Sequence, residues 1–314
     1  MGYRAWRGVA GAPRSDQPLR SRRQGFGQRL RPAREGRAVT SQSDNSLADN
    51  RLVCATRVLR DQCARGIAPY ITAGDGGLAC TLEVLHALDR GGAHCVELGL
   101  PFSDPIADGP VLQAASTRAL AAGTSLTGTL EMLRAFRQAG GRVPIALMSY
   151  ANPLMRHGLS ETALRVAQAG ADALIVPDIP LEEGALLEQA CAEAALCPIF
   201  FAAPTSNDDR IIQAGARSRG FLYVVGRVGV TGGGTTFDSE TQTFLARARA
   251  LSAAPIAVGF GIATAADVRA AVEHADLAIV GTALVRHLHA CGSNPGERAA
   301  AASAFLAELQ TGLS

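Results

Sequence analysis

From residue 51 onward, short apolar runs alternate with longer Ala/Leu-rich periodic stretches, and this alternation restricts the fold more than any other feature. Eight runs read as strands: 68–73 (APYITA), 94–98 (HCVEL), 144–149 (PIALMS), 173–177 (ALIVP), 198–202 (PIFFA), 221–225 (FLYVV), 255–258 (PIAV) and 277–280 (LAIV). Between them, helical periodicity covers 78–90, 124–138, 160–169, 182–195, 208–217, 240–252 and 264–273. Several of these stretches close on Gly, as in QAGG at 138–141 and QAGA at 168–171, the usual C-terminal cap. Strands apolar on both faces, each followed by a helix, indicate a parallel sheet covered by helices. Eight such units favour an α/β fold closed into a (β/α)8 TIM barrel, with an open doubly wound sheet as the structural alternative. An extra helical stretch at 110–122 reads as an insertion after the second strand, and a last helix near 298–312 closes the chain.

The expected organisation is one barrel domain over 51–314 with a disordered extension over 1–50. Residues 1–37 hold ten Arg against two acids, Asp16 and Glu35, and show no periodicity. A mistaken start codon, an Arg-rich targeting peptide and a basic arm all fit such a segment, and a mistaken or dispensable extension is favoured. The initial Met-Gly does not make a myristoylation site, because Trp6 stands where Ser or Thr is expected. The net charge of +2 is too small for the whole molecule to read as nucleic-acid binding. No apolar run is long enough to span a membrane. The seven Cys form no CxxC or Cys/His ligand spacing and read as reduced thiols of a cytoplasmic protein.

The sequence contains no Lys; every one of the 30 basic residues counted as Lys+Arg is Arg. Schiff-base aldolase chemistry and covalent pyridoxal phosphate chemistry both need a Lys amine, so neither can run on this chain alone.

In a barrel the active site lies at the C-terminal ends of the strands. There, residues 95–110 read CVELGLPFSDPIADGP. Alternation puts Cys95, Glu97 and Gly99 on one face of the strand. A carboxylate inside a barrel is costly unless paired or used, and desolvation would raise its pKa toward the range of a general acid/base. A Glu at the wet end of the strand, hydrogen-bonded to a loop, is an equal reading. Asp108-Gly109-Pro110 looks like a helix start with Asp108 as N-cap, and by itself that capping reading is preferred. Asp104 before Pro105 fits a turn. Tyr223 in FLYVV fits a core position, or a barrel-mouth hydroxyl that orients Glu97. The late loops GRVGVTGGGTT (226–236), VGFGIATAADV (258–268) and VGTALV (280–285) are rich in Gly, which lets backbone N–H groups approach an anion. Thr282 adds a hydroxyl near the same place.

ELGLPFSDPIADGP at 97–110 resembles the signature segment of tryptophan synthase alpha subunits. PYITAGD (69–75), MSYANPL (148–154), VPDIPLEE (176–183), APTSNDDRI (203–211), GVTG (229–232) and GFGI (259–262) are similar to further segments of that family in the same order. The resemblance runs from about residue 51 to 290. It implies retro-aldol cleavage of indole-3-glycerol phosphate to indole and glyceraldehyde 3-phosphate, with no metal or organic cofactor. The family's catalytic Glu falls on Glu97 and its catalytic Asp on Asp108, with Tyr223 at the site edge. Tyr70 and Thr72 fall near the indole pocket, and the phosphate loops on Gly232, Gly261 and Thr282, with Gly259 and Gly281 alongside. The implied partner is a tryptophan synthase beta subunit in an αββα complex, met by residues 101–108 and 178–183.

Some positions depart from the family pattern. GDGG at 74–77 lacks the Pro usual after GD, which predicts a looser first loop. Val228 replaces a small hydroxyl residue, and Thr282 a common Ser. Four other readings fit parts of the sequence: a different phosphate-binding barrel such as a sugar-phosphate isomerase, a stand-alone lyase releasing free indole, an idle regulatory subunit, and RNA or membrane-surface binding by the Arg-rich tail. The long 97–110 match weighs against the first and the intact carboxyls against the third.

Overall fold

A computed structural model of the chain describes residues 47–226, 237–259 and 261–314. The expectations for residues 1–46, and for Val228 and Gly232, lie outside the described residues. Among the described residues, nine parallel strands form one sheet: β1 (Gly66–Thr72), β2 (Val96–Gly99), β3 (Ile145–Met148), β4 (Ala173–Ile175), β5 (Cys197–Ile199), β6 (Phe201–Ala202), β7 (Leu222–Val225), β8 (Ile256–Gly259) and β9 (Leu277–Val280). The order β5-β4-β3-β2-β1-β9-β8-β7-β6 begins and ends on two strands that are contiguous in the chain. The fifth sequence run, expected as one strand, is therefore split at Phe200. Its first half pairs with β4 and its second with β7. Hydrogen bonds Arg219 N→Pro198 O (2.9 Å) and Tyr223 N→Phe200 O (3.0 Å) carry the ladder across the split. The closed (β/α)8 TIM barrel expected from the alternation is the fold.

The helices in chain order are α1 (Arg51–Asp61), α2 (Leu78–Arg90), α3 (Pro110–Ala121), α4 (Leu126–Gln138), α5 (Ala151–Met155), α6 (Leu159–Gln168), α7 (Ala185–Ala194), α8 (Asp208–Arg217), α9 (Ser239–Leu251), α10 (Ala265–Val272), α11 (Thr282–Ala290) and α12 (Pro295–Gln310). The inserted helix after the second strand is α3. None is long and apolar enough to cross a membrane.

Strand alternation separates two apolar cores. Outward residues such as Ile67, Val96, Leu98, Ile145, Leu147 and Leu174 pack under the helices. Inward residues form a second cluster of Ala68, Cys95, Ala146, Ala173, Cys197 and Ala257 with larger Ile175, Ile199, Phe221, Leu277 and Ile279. Leu47, Leu52 and Leu59 belong to this inner cluster, so α1 is packed against the inner core. This helix is absent from the sequence reading. Asn50 starts it, accepting from Leu52 N and Val53 N while its Nδ2 donates to Asp172 O at 2.9 Å. Arg51 reaches the buried Asp172 carboxylate at 2.9 Å, which also pairs with Arg137 at 3.0 Å.

The loop after β1 is held in place, against the expectation of looseness. Asp75 is buried and receives two bonds of 2.8 Å from Arg118 of α3. Arg298 of α12, itself buried, donates to the Asp75 carbonyl and to Gly292 O. Gly76 has φ +89°, a conformation barred to Pro, whose ring fixes φ near about −65°. A Cβ there would lie 2.6 Å from the Arg298 guanidinium carbon.

Two substitutions test these anchors by urea unfolding. Leu52→Ala, which empties a fully buried site in the barrel interior, is expected to cost about 2–5 kcal/mol. Gly76→Pro is expected to destabilise by more than about 1 kcal/mol rather than stabilise.

Candidate active site

The upper layer of the barrel interior is where the apolar filling stops. β1 and β2 pair in register so that Tyr70 lies beside Glu97 and Thr72 beside Gly99. Glu97 points inward on the same face as Cys95, and only 3% of it is exposed. The reading of Glu97 as a residue of the barrel interior therefore holds over the wet-end alternative. Tyr223 on β7 donates its hydroxyl to Glu97 Oε2 at 3.4 Å. Burial pushes the Glu97 carboxyl up to about 8, the Asp108 charge adds to the rise, and the Tyr223 bond opposes it.

Two aromatic rings need two glycines. A Cβ on Gly99 would lie 2.1 Å from the Tyr70 hydroxyl, and one on Gly259 would lie 2.5 Å from the Tyr223 hydroxyl. Gly259, expected beside a phosphate, makes room for Tyr223. The Tyr223 ring is also in contact with Phe201, with centroids 4.9 Å apart. Thr72 donates to the Tyr70 hydroxyl at 3.4 Å, and Tyr70 packs against Ala115 of α3 and Val285 of α11.

Asp108 does not cap α3. The N-cap is Gly109, with Pro110 in the first helical position, so Asp108 sits one residue too early and makes no capping bond. Its backbone carbonyl accepts from Gln113 Nε2 at 2.8 Å. The carboxyl is left for other partners. Burial raises it to about 6, while a hydrogen bond from Tyr150 pulls the other way. Asp108 acts electrostatically on Glu97, Tyr70 and Tyr223, which places all four around one space. Asp104 is exposed and accepts from its neighbour Ser103, and its carbonyl accepts from Ile106 N at 2.9 Å, as a turn residue does. Tyr150, which the sequence reading left unassigned within MSYANPL, is 3% exposed and accepts from Ala107 N at 3.0 Å.

At the ends of β8 and β9 the described glycines differ in role. Gly261 has φ +56° in the turn after β8. Gly281 precedes α11 as its N-cap, and no side chain caps that helix, which opens on Thr282. By contrast α10 is closed by its own capping box, Thr264 with Asp267. An uncapped helix start beside a glycine turn presents backbone N–H groups and a positive dipole end. The helix α11 itself was not foreseen, because a single Gly separates it from β9.

A family model described as "Tryptophan synthase alpha chain" matches residues 57–313. The tryptophan synthase alpha chain of Burkholderia multivorans is 42% identical over 255 residues, covering 81% of this chain and 93% of that one. The corresponding protein of Acaryochloris marina is 42% identical, covering 81% and 94%. Among solved structures, tryptophan synthase subunit alpha from Legionella pneumophila superposes with a TM-score of 0.77 at 32% identity, covering 85% of this chain and 99% of its own. A chain of tryptophan synthase from Mycobacterium tuberculosis in its aminoacrylate-bound form gives 0.73 at 29% identity, covering 84% and 100%. The chain belongs to the tryptophan synthase alpha chain family, lyases that cleave indole-3-glycerol phosphate to indole and glyceraldehyde 3-phosphate.

Proposed function

We propose that Glu97 and Asp108 divide the acid–base work of this cleavage, and that their unequal environments set the division. The observation that carries the reading is the pair of raised carboxyls in one space, about 8 for Glu97 and about 6 for Asp108. Near neutral pH the first holds a proton and the second a negative charge, the separation by which two carboxyls take different roles. Glu97 delivers its proton to indole C3. The positive charge that develops on the ring is met by the Asp108 carboxylate at the indole N–H. The Glu97 carboxylate then accepts the proton of the hydroxyl on the adjacent side-chain carbon. The carbon–carbon bond breaks, its electron pair returns to the ring, and the aldehyde of glyceraldehyde 3-phosphate forms. Glu97 ends protonated, as it began. Tyr223 orients Glu97, and Tyr70 and Thr72 border the indole.

The phosphate is assigned to Gly261 and to the start of α11, with Gly281 and the Thr282 hydroxyl, as an anion at an uncapped helix start. Gly259 stands alongside, and Gly232 joins them by its match to the family motif. The partner is a tryptophan synthase beta subunit in an αββα complex. The surface is the strand-end loops 101–108 and 178–183: Ile106 is 81% exposed there, and Asp178, Pro180, Glu182 and Glu183 are exposed too. The site of action is the cytoplasm.

Indole release from indole-3-glycerol phosphate tests the assignment. The wild type is expected to be slow alone and accelerated by the beta subunit, with Glu97→Gln losing about 100-fold or more in either state. Fast release without a partner would instead establish a stand-alone lyase. The wild-type rate should fall as pH drops through about 6, where Asp108 loses its charge, and as pH rises through about 8, where Glu97 loses its proton.

Stability should carry the same signature. The folded value of Glu97 is raised, so its contribution is complete below the ordinary carboxylate range and lost as pH rises through about 8. Glu97→Gln has no charge to bury. Its Tm relative to wild type should therefore be higher at about pH 9 than at about pH 5. A Tm difference independent of pH would count against a desolvated Glu97.

A further inference from the structure

We infer that Tyr150 is a positioning residue for the reaction: its hydroxyl ties down the loop after β2 and fixes the Asp108 carboxyl at the barrel mouth. The inference rests on the reading of Asp108 given above. Asp108 follows a loop of turns, and it makes no helix-capping bond that would orient its side chain. Something else has to hold that carboxyl. Tyr150 comes directly after β3 and Ser149, and is buried at 3% exposure. Its hydroxyl oxygen accepts the Ala107 N–H at 3.0 Å. An accepting phenol keeps its own proton to donate. The carboxyl of the very next residue, Asp108, faces that hydroxyl, and the two groups act on each other's protonation.

The ring is gripped as well. Phe102, near the start of the same loop, lies with its centroid 5.3 Å from the Tyr150 ring at 30°. One side chain thus contacts the loop at residues 102 and 107, on the doorstep of Asp108. Its own backbone is anchored in turn, because the adjoining Ala151 N–H is donated to both carboxylate oxygens of Asp178, at 2.9 and 3.2 Å. The post therefore stands on β3 and on the segment after β4. The titratable groups facing Asp108 are Tyr70 from β1, Glu97 from β2, Tyr223 from β7 and Tyr150. Of these, the Tyr150 hydroxyl is the one that favours the charged form.

The test is steady-state indole release by the full chain alone, so that partner docking at 178–183 does not enter, measured across pH. Tyr150→Phe keeps the ring and loses the hydroxyl. It is expected to lower kcat roughly 10-fold or more, the loss of one hydrogen bond to a charged group. KM should stay within about twofold, and the acid limb should move to higher pH. Phe102→Leu removes the ring contact and keeps the hydroxyl, so its acid limb should stay where the wild type has it. A Tyr150→Phe protein with wild-type kcat and acid limb overturns the proposal. Equal kcat losses in Tyr150→Phe and Phe102→Leu with neither limb moved overturn it too, because the residue is then only packing. Where Tyr150→Phe does not fold, Asp178→Ala loosens the same anchor, and an unmoved acid limb in that variant rejects the proposal. Asp108→Asn separates this from the reading beneath it. Full activity in Asp108→Asn would remove the role of Asp108 itself, whereas an inactive Asp108→Asn beside a wild-type Tyr150→Phe rejects the positioning alone.

Discussion

Closing parallel strands into a ring leaves an interior that has to be filled, and the way it is filled decides where polar chemistry fits. In this chain small inward residues, Ala68, Cys95, Ala146, Ala173, Cys197 and Ala257, are combined with a few larger ones, and α1 adds Leu52 and Leu59 to the same core. These residues are apolar and offer no side-chain partner to a charge. The next inward position beyond Cys95 on β2 is Glu97. It sits at the last layer before the mouth, near enough to apolar filling to lose its solvation and near enough to Tyr223 to keep one hydrogen bond. Both conditions follow from the closed ladder, because β2 and β7 face each other only when the sheet comes round.

Carrying Glu97 there has a cost. A carboxyl raised from its ordinary value to about 8 represents a few kcal/mol by which the folded state disfavours its charge. The fold offsets this elsewhere with well-satisfied ionic groups. Asp172 is buried but meets Arg51, Arg137 and the Ile145 N–H. Asp75 is buried between Arg118 and Arg298. The contrast is informative. Buried carboxylates with guanidinium partners are anchors, whereas Glu97 and Asp108 meet phenol hydroxyls and each other. Only groups kept short of full compensation can exchange protons near neutral pH.

The sequence was legible where one physical signal dominated. The helices 78–90 and 208–217 and the strand 277–280 were bounded to the residue, because apolar period and flanking polar residues agreed. It was least legible where two signals overlapped. α1 buries Leu52, Thr56 and Leu59 along one face, but its arginines continue the composition of the basic segment before it. α11 follows β9 with one residue between, so strand and helix merge into a single apolar run. In the site, Glu97 was expected from alternation and family likeness together and Tyr223 from the likeness, and alternation alone could not say which face was the inside. Asp108 misled on local grounds: D-G-P reads as a cap, yet Pro in the first helical position makes Gly109 the cap and sets Asp108 free. Tyr150 gave no signal of its own, since a buried Tyr at a strand end is ordinary core until the loop that crosses it is known.

That last case shows how the mouth of the barrel divides its tasks. The strands fix Glu97, Tyr70 and Tyr223 by register, so their mutual positions hardly depend on the loops. Asp108 has no such support. Its place depends on how a loop lies against the end of a neighbouring strand, and the same loop exposes Ile106 at its tip. A surface that binds at Ile106 would therefore press on the segment that carries one of the two carboxyls, while leaving the other untouched. The loop residue lies off the sheet, and the Tyr150 hydroxyl and ring are what join its loop to the strand end. In this geometry the two carboxyls are supported differently: strand register holds Glu97, and a loop tied to Tyr150 at the end of β3 carries Asp108.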